Sequence, residues 1–256
     1  MDLSLEIITI LFIVAAVAGF IDAIAGGGGL LTVPALLSVG LSPAQALATN
    51  KLQGSFGSFS ATLYFIRNGV VKFSEMRNGI ICTFIGAALG AVLVQKIDAS
   101  VLTAIIPLLL LGISFYFLLA PKSIAEPGES KLSENMFALT VGTSIGFYDG
   151  FFGPGAGALF TICFVAIAKR GIIEATAKTK VLNFTSNIAA LLFFIIGGLP
   201  VWEVGLLMAA GQFIGARSGA KIVVTKGQKL IRPMVVIVSM VMAIKLLIEQ
   251  NPQWFQ

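Results

Sequence analysis

The stretch GFIDAIAGGGG occupies residues 19–29, inside a strongly apolar segment. A second stretch of the same kind, GFYDGFFGPG, occupies residues 146–155. Each stretch places an aspartate, Asp22 or Asp149, beside glycines that interrupt a hydrophobic segment. A repeated pair of glycine-broken apolar segments is a sequence indication of the binding site of a secondary transporter. The repeat therefore predicts a polytopic membrane protein with two related halves.

The composition also indicates a membrane protein. Of the 256 residues, 57% are hydrophobic and 11% are charged, and the mean hydropathy is +0.97. Soluble domains carry about 25% charged residues, so most of this surface does not face water. The net charge is +5, but the basic residues lie between apolar blocks and are not grouped on one face with aromatic residues. Nucleic-acid binding is therefore not expected.

The chain contains no histidine. This excludes Ser-His and Cys-His catalysis, haem ligation by histidine and histidine-based metal sites. Cys82 and Cys163 lie far apart within apolar segments, which is typical of small buried hydrophobic residues. We expect neither a metal nor a cofactor, and we expect the protein not to be an enzyme.

Ten apolar segments follow one another along the chain, five in each half. They lie near 5–25, 28–40, 44–66, 75–95, 100–120, 134–152, 155–168, 174–197, 201–221 and 231–249. Eight are long enough for a helix to cross a hydrocarbon core of about 30 Å, whereas 28–40 and 155–168 are too short. The predicted organisation is a first membrane repeat, a polar linker and a second membrane repeat, at 1–120, 121–133 and 134–256.

Further identities relate the two halves. Lys51 and Phe65 recur 129 positions later as Lys180 and Phe194. A spacing of 125 positions aligns a group of small residues, namely Gly86, Gly90 and Ala91 with Gly211, Gly215 and Ala216. The order of these identities predicts an internal duplication.

The distribution of Lys and Arg predicts how the halves are oriented. If the two short segments cross the membrane, twelve basic residues share one side, whereas without those crossings neither side is clearly enriched. Because basic loops face the cytoplasm, ten crossings are the better interpretation. The predicted fold is an all-α polytopic membrane protein with two inverted repeats, eight long spans and two short or half helices. Both termini would then face the periplasm.

Charged residues at membrane depth are the candidate functional groups, because each costs roughly 2.5–3.5 kcal/mol to insert. Asp22, Asp149, Lys51 and Lys180 recur as two such pairs. Lysines and amides in a cavity suit an oxyanion. The predicted substrate-binding residues are Asn50, Lys51, Gln53, Lys180, Asn183, Asn187 and Gln212. The predicted gating or coupling residues are Asp22, Gly26, Gly27, Gly28, Gly29, Asp149, Gly153 and Gly155.

Structural alternatives remain open for these residues. Asp22 could pair with Lys180, or Lys51 with Asp149, only to brace the halves. An aspartate beside glycine can also cap the short helix that follows, and the glycines can form tight turns at the membrane surface.

The motif of Ser42, Pro43 and Gln45 predicts the N-cap, first turn and capping box of the helix that carries Lys51.

The sequence resembles the TauE/SafE family, the sulfite exporter or TSUP family of inner-membrane permeases. The resemblance rests on the two glycine-rich stretches above and on the run Ala48-Thr49-Asn50-Lys51-Leu52-Gln53. It extends through residues 177–187 and 226–233, and so covers nearly the whole chain. The resemblance implies transport of sulfur-containing anions such as sulfite, sulfoacetate and other organosulfonates, usually as export.

The sequence thus predicts a permease that exports small anions across a bacterial inner membrane. Its expected partners are a small anionic substrate and the lipid bilayer, and both a monomer and a homodimer are compatible with the sequence. Three alternatives remain: an importer of small organic anions coupled to protons, a non-transporting membrane subunit, and an intramembrane enzyme. The absence of histidine and of a metal-ligand cluster argues against the enzyme.

Overall fold

A computed structural model describes residues 4–119 and 128–226 of the chain. This part of the chain consists of helices and the turns that connect them. The all-helical fold predicted from the sequence is thus confirmed for these residues. The predicted segment 231–249, most of the motif at 226–233 and residues 121–127 of the predicted linker lie outside them.

Five helices form the first half. They are α1 (Leu5–Ala25), α2 (Gly29–Ser38), α3 (Pro43–Arg67), α4 (Arg77–Val94) and α5 (Ala99–Leu119). A 3₁₀ turn, Phe73–Met76, precedes α4. The predicted capping box is confirmed, because the Ser42 hydroxyl accepts from the Gln45 backbone N–H and the Gln45 side chain accepts from the Ser42 N–H.

Five further helices belong to the second half. They are α6 (Glu134–Phe137), α7 (Thr143–Phe151), α8 (Ala156–Ala166), α9 (Ile172–Ile196) and α10 (Trp202–Lys226). A π-helical turn, Ala138–Gly142, joins α6 to α7. The apolar segment predicted at 134–152 is therefore one continuous helical rod with a wider turn inside it.

The two short helices begin at the glycine-rich stretches. With 10 and 11 residues, α2 and α8 rise about 15 Å and 17 Å, so neither spans a hydrocarbon core by itself. Gly26 ends α1 at φ 76° and Gly155 precedes α8 at φ 84°. Because this left-handed conformation is costly for residues with a Cβ, glycine is required where the chain turns from one helix into the next.

The outer surface is apolar and the interior contains charge, which is the reverse of a soluble protein. Large side chains such as Ile13, Leu89 and Leu139 are more than half exposed, whereas Lys51 and Lys180 are each 1% exposed. Three helical stretches among the described residues are long and apolar enough to cross a membrane, namely Leu5–Ala25, Phe73–Val94 and Ile172–Ile196. A membrane-embedded protein accounts for this distribution.

Helices from opposite halves pack closely through small residues. In the contact of α1 with α10, a Cβ on Gly215 would overlap the carbonyl oxygen of Ala16. In the contact of α7 with α4, a Cβ on Gly86 would overlap the carbonyl oxygen of Thr143. Such glycines let helix backbones approach each other in membranes. Each half therefore contributes one helix to each of these contacts.

These contacts correct the alignment of the small residues. Gly19 packs on the backbone of Gln212, and Gly146 packs in the same way on Thr83. When contacts of this kind in the two halves are compared, Gly86 of α4 corresponds to Gly215 of α10, at a spacing of 129 positions. The spacing of 125 positions taken from the sequence is wrong by four residues, about one helical turn. Because glycines recur every four residues in both helices, the two sequences align equally well in either register.

Candidate functional site

The central cavity lies where α3 and α9 pass the two glycine-rich turns. It encloses about 40 Å³, which is room for a few water molecules. The lining is almost entirely polar side chains and glycine backbone, from both halves. The residues that line it are Asp22, Gly26, Gly28, Gly29, Asn50, Lys51, Gly54, Asp149, Gly153, Gly155, Gly157, Asn183, Asn187 and Gln212.

One buried ion pair joins α3 to α7. Nζ of Lys51 lies 2.5 Å from Oδ1 of Asp149, and the two side chains are 1% and 4% exposed. The other carboxylate oxygen, Oδ2, accepts from Nδ2 of Asn183 at 3.2 Å and from the hydroxyl of Ser186. Asp149 is therefore held by three donors on two helices.

A second ion pair, partly buried, joins α9 to α1. Nζ of Lys180 lies 2.8 Å from Oδ2 of Asp22 and 3.3 Å from Oδ1 of Asn183. Oδ1 of Asp22 accepts from the backbone N–H of Gly28, which is the N-cap of α2, at 3.2 Å. Asp22 thus caps the short helix, as one of the sequence alternatives stated, while it also pairs with Lys180.

Both ion pairs cross from one half of the chain to the other. The pairing of Asp22 with Lys180 and of Lys51 with Asp149, which the sequence analysis left as an alternative, is what the structure contains. Two ammonium groups and two carboxylates leave the site with no net charge. A buried charge is tolerated when it is paired and hydrogen-bonded, which explains why four charges coexist at the centre of an apolar molecule.

Amide side chains complete the lining. Oδ1 of Asn50 accepts from the Thr32 hydroxyl at 2.6 Å and from Nε2 of Gln53 at 3.2 Å. Asn187 donates to Ser58 over 3.4 Å. Gln212 is only 3% exposed, yet its amide makes no hydrogen bond among the described residues. Buried amides normally find partners, so Gln212 is an amide in the cavity that is free to bind a ligand.

The structure brings most of the predicted site residues together. Gln53 lies behind Asn50 and does not line the cavity, and its Oε1 has no partner among the described atoms. Lys180 does not itself line the cavity, but it contacts two residues that do, Asp22 and Asn183. Gly27 is not among the lining residues. The remaining predicted residues all line the cavity.

Sequence reasoning missed Ser186, Gly54 and Gly157. Ser186 lies one turn after Asn183 on α9, and that spacing could have identified it. Gly157 contacts the glycine turn of the other half, since a Cβ on it would lie 2.7 Å from the Cα of Gly26. This contact depends on how the two turns meet in space, for which the sequence carries no signal.

Lys178 lies outside the central cavity. It is 7% exposed and its Nζ lies 2.8 Å from Oε1 of Glu174, one turn earlier on α9. It lines a separate cavity of about 60 Å³, together with Arg170 and Glu134. Lys178 is therefore a buried lysine paired within its own helix.

The arrangement is suited to binding. The groups available in the cavity are ammonium and amide donors, balanced by two carboxylates that accept. Ammonium and N–H donors in a site of low dielectric bind oxyanions. Negatively charged groups are also favoured beside the N-terminus of α2, where the helix dipole points outward and the Gly28 N–H donates to Asp22.

Comparison with known proteins gives a consistent result. A sequence profile described as "Sulfite exporter TauE/SafE" matches residues 11–246. The probable membrane transporter protein YfcA of Escherichia coli K12 is 54% identical over 244 residues, covering 95% of this chain and 91% of that protein. A probable membrane transporter protein of Haemophilus influenzae is 48% identical over 255 residues, covering 100% and 99%. No solved structure matches the chain.

Proposed function

This chain belongs to the sulfite exporter TauE/SafE family of membrane transporters, and we propose that it is a secondary permease that exports small sulfur-containing anions. The proposed substrates are sulfite, sulfoacetate or other organosulfonates, and the proposed location is the bacterial inner membrane. The profile match confirms the resemblance inferred from the sequence. The relatives' names support a membrane transporter, whereas the identity of the anion is our proposal.

The observation that carries the proposal is the pair of buried lysines beside the central cavity. Lys51 and Lys180 are 1% exposed, and each is held by an aspartate of the opposite half. A structural brace needs no cavity lined with amides beside it. Here the lysines are accompanied by Asn50, Asn187 and Gln212, which present polar atoms to the cavity. This set of donors matches the sulfonate or sulfite group of the proposed substrates.

An inverted duplication is the architecture we propose for transport. It is supported by equivalent contacts in the two halves: Gly19 on Gln212 matches Gly146 on Thr83. The hydrogen bond between Asn187 and Ser58 joins residues that are 129 positions apart, which is the spacing that relates the halves. This pair therefore lies where an axis exchanging the halves would pass. Substrate sites of inverted-repeat transporters lie at such repeat interfaces.

Transport requires the two sides of the cavity to separate. A cavity of about 40 Å³ holds a few water molecules and is too small for sulfoacetate. We therefore assign the described conformation to a nearly closed state. Opening toward either side of the membrane would move one set of helices against the other around the glycine-rich turns, as in alternating access.

Export of an anion is favoured by the membrane potential. An inside-negative potential drives each negative charge outward with about 2.3 kcal/mol per 100 mV. An exporter of this kind needs no coupling ion, whereas an importer must overcome the same free energy. The direction of flux under an imposed potential therefore distinguishes the exporter from a proton-coupled importer.

Efflux from proteoliposomes tests the proposal. We expect labelled sulfite and sulfoacetate to leave vesicles that contain the protein, faster when the inside is negative. Lys51→Ala and Lys180→Ala should abolish efflux, because the first removes a cation that lines the cavity and the second a cation directly behind Asp22 and Asn183. Lys96→Ala changes an exposed lysine of the same chain and should retain efflux.

Each variant must first elute as a single folded species in gel filtration. If the unmodified protein carries neither anion, the substrate assignment is wrong. If flux survives both central replacements in folded protein, the lysines are braces and the binding site lies elsewhere.

A further inference from the structure

The two ion pairs at the cavity are chemically alike but are held differently. Asp149 has three donors for its two oxygens, and its side chain is 4% exposed. Asp22 has two donors, the Lys180 ammonium and the Gly28 backbone N–H, and its side chain is 26% exposed. Releasing Asp22 therefore breaks fewer bonds than releasing Asp149, and Asp22 already has space beside it.

We propose that the carboxylate of Asp22 occupies the subsite that the oxyanion group of the substrate takes when it binds. This inference rests on the proposed function and assigns the substrate's charged group to particular donors. Those donors are Nζ of Lys180 and the N–H of Gly28 at the start of α2. In the described conformation Asp22 is an internal stand-in for the substrate, and binding is an exchange of one oxyanion for another.

The chemistry of this subsite fits a sulfonate, sulfite or carboxylate group. An ammonium supplies a charge-assisted hydrogen bond, and the N-terminus of a helix supplies backbone N–H groups with a favourable dipole. The α2 helix has ten residues, long enough for that dipole to form. The contacts of Asp22 show that the two donors converge on a single carboxylate.

The free amide of Gln212 is an independent indication that this cavity binds a ligand. Gln212 is 3% exposed and lines the same cavity as Asp22, yet no group in the described structure bonds to it. Its side-chain oxygen packs against Gly19 and Gly57, since Cβ atoms on these glycines would lie only 2.8 Å and 2.5 Å from it. Gly19 stands one turn before Asp22 on α1, so the amide is next to the proposed subsite.

The exchange also links binding to the glycine-rich turn. When Asp22 leaves, the Gly28 N–H loses its cap unless the substrate replaces it. The start of α2 then responds to whether substrate is present, while the Lys51 and Asp149 pair keeps α3 and α7 together. Because one carboxylate is displaced, the subsite accepts one oxyanion group of the ligand.

Equilibrium binding to the purified full chain tests the exchange, with sulfite and methanesulfonate as probes. Asp22→Asn keeps an oxygen that can accept from Gly28 but removes the competing charge. We expect this variant to bind the probes at least about tenfold more tightly than the unmodified protein. In the unmodified protein Asp22 occupies the subsite, and the apparent affinity is reduced in proportion to the small fraction of molecules in which the subsite is vacant. Asp149→Asn should not tighten binding. Adding Lys180→Ala to Asp22→Asn should abolish it.

The results separate this inference from the proposed function. Binding that is unchanged or weaker in Asp22→Asn overturns the exchange while the permease assignment stands, and so does an equal gain in Asp149→Asn. If neither probe binds to the unmodified protein or to Asp22→Asn, the proposed substrate class is wrong, and the proposed exchange is wrong as well.

A second variant covers the case in which Asp22→Asn or Asp149→Asn does not fold. Asp22→Ala removes the carboxylate group and leaves a space beside Lys180 that the oxyanion group of free acetate or methanesulfonate should fill. We expect either anion, well above its Kd, to raise the Tm of this variant by about 3–6 °C, since a ligand that binds only the folded state stabilises it. The unmodified protein should show no such rise. Equal responses in both proteins would contradict the exchange.

Discussion

At the scale of single residues, Ser186 shows how the site is held in place. Its hydroxyl donates to Oδ2 of Asp149 and also lies 3.0 Å from the carbonyl oxygen of Asn183. The residue 129 positions earlier, in the first half of the chain, is Gly57, which has no hydroxyl. This contact therefore exists in one half only. A hydroxyl that supports a buried carboxylate contributes more than a neutral hydrogen bond, because its loss leaves charge uncompensated.

Removing this hydroxyl should lower stability in a measurable way. We expect Ser186→Ala to destabilise the protein by about 1.5–3 kcal/mol, the range for hydrogen bonds to charged groups. Ser55→Ala is the matched control, since Ser55 is equally buried but donates to a carbonyl of its own helix. Thermal unfolding in detergent measures both. Equal shifts in Tm would show that the hydrogen bond to Asp149 stabilises the protein no more than the hydrogen bond of Ser55 within its own helix.

The Lys51 and Asp149 pair should behave as a unit. Asp149→Leu leaves the Lys51 ammonium buried without its counter-charge, which costs about 3–5 kcal/mol. The double variant Lys51→Met/Asp149→Leu removes both charges and should recover most of that loss, because an apolar pair of similar volume is tolerated. Thermal unfolding of the two single variants and the double gives the coupling. A double variant as unstable as the sum of the singles would contradict the pairing.

At the scale of helices, the sequence patterns give the element bounds well. α1 spans the predicted 5–25, and α3 begins at Pro43, as its capping box requires. The bounds follow from local chemistry, namely caps, proline at the first turn and glycine at the end. The π turn at Ala138–Gly142 and the register of α4 against α10 depend on neighbouring helices, and the sequence patterns did not predict them.

Close packing of helices gives a prediction at the same scale. Gly215→Ala should destabilise the protein by about 1–3 kcal/mol, as overpacking does, because the added Cβ overlaps the backbone of α1. Gly112→Ala is the matched control: it is also a helical glycine, but no atom lies within 4 Å of its Cβ position. It should be neutral or stabilising by up to about 1 kcal/mol. Melting curves that rank the two in the opposite order would refute the α1–α10 contact.

At the scale of the whole molecule, the two halves are interlocked. α1 packs on α10 and α4 packs on α7, and both ion pairs join the halves. The largest apolar core combines residues such as Ile21 and Phe65 with Phe160 and Val181. This core is shared between the two halves, so we expect neither half to fold independently of the other.

Splitting the chain tests this interdependence. The exposed turn after Glu129 is a suitable break, because few backbone hydrogen bonds cross it. We expect fragments 1–129 and 130–256 to accumulate in the membrane only when they are co-expressed, and to co-purify. Each fragment alone should be degraded, since its core and its buried charges lack partners. A stable, monodisperse fragment 1–129 would show that the first half folds independently.

The sequence by itself determined the class of the molecule, its helices, its family and most residues of the central cavity. These follow from local signals: apolar length, capping residues, glycine-rich turns and charges too costly to bury without a role. Only the tertiary structure decided that both cross-half ion pairs form, that Ser186 supports one of them and that Asp22 is the more exposed carboxylate. Distances between segments far apart in the chain depend on how helices pack in three dimensions, and no local pattern in the chain encodes them.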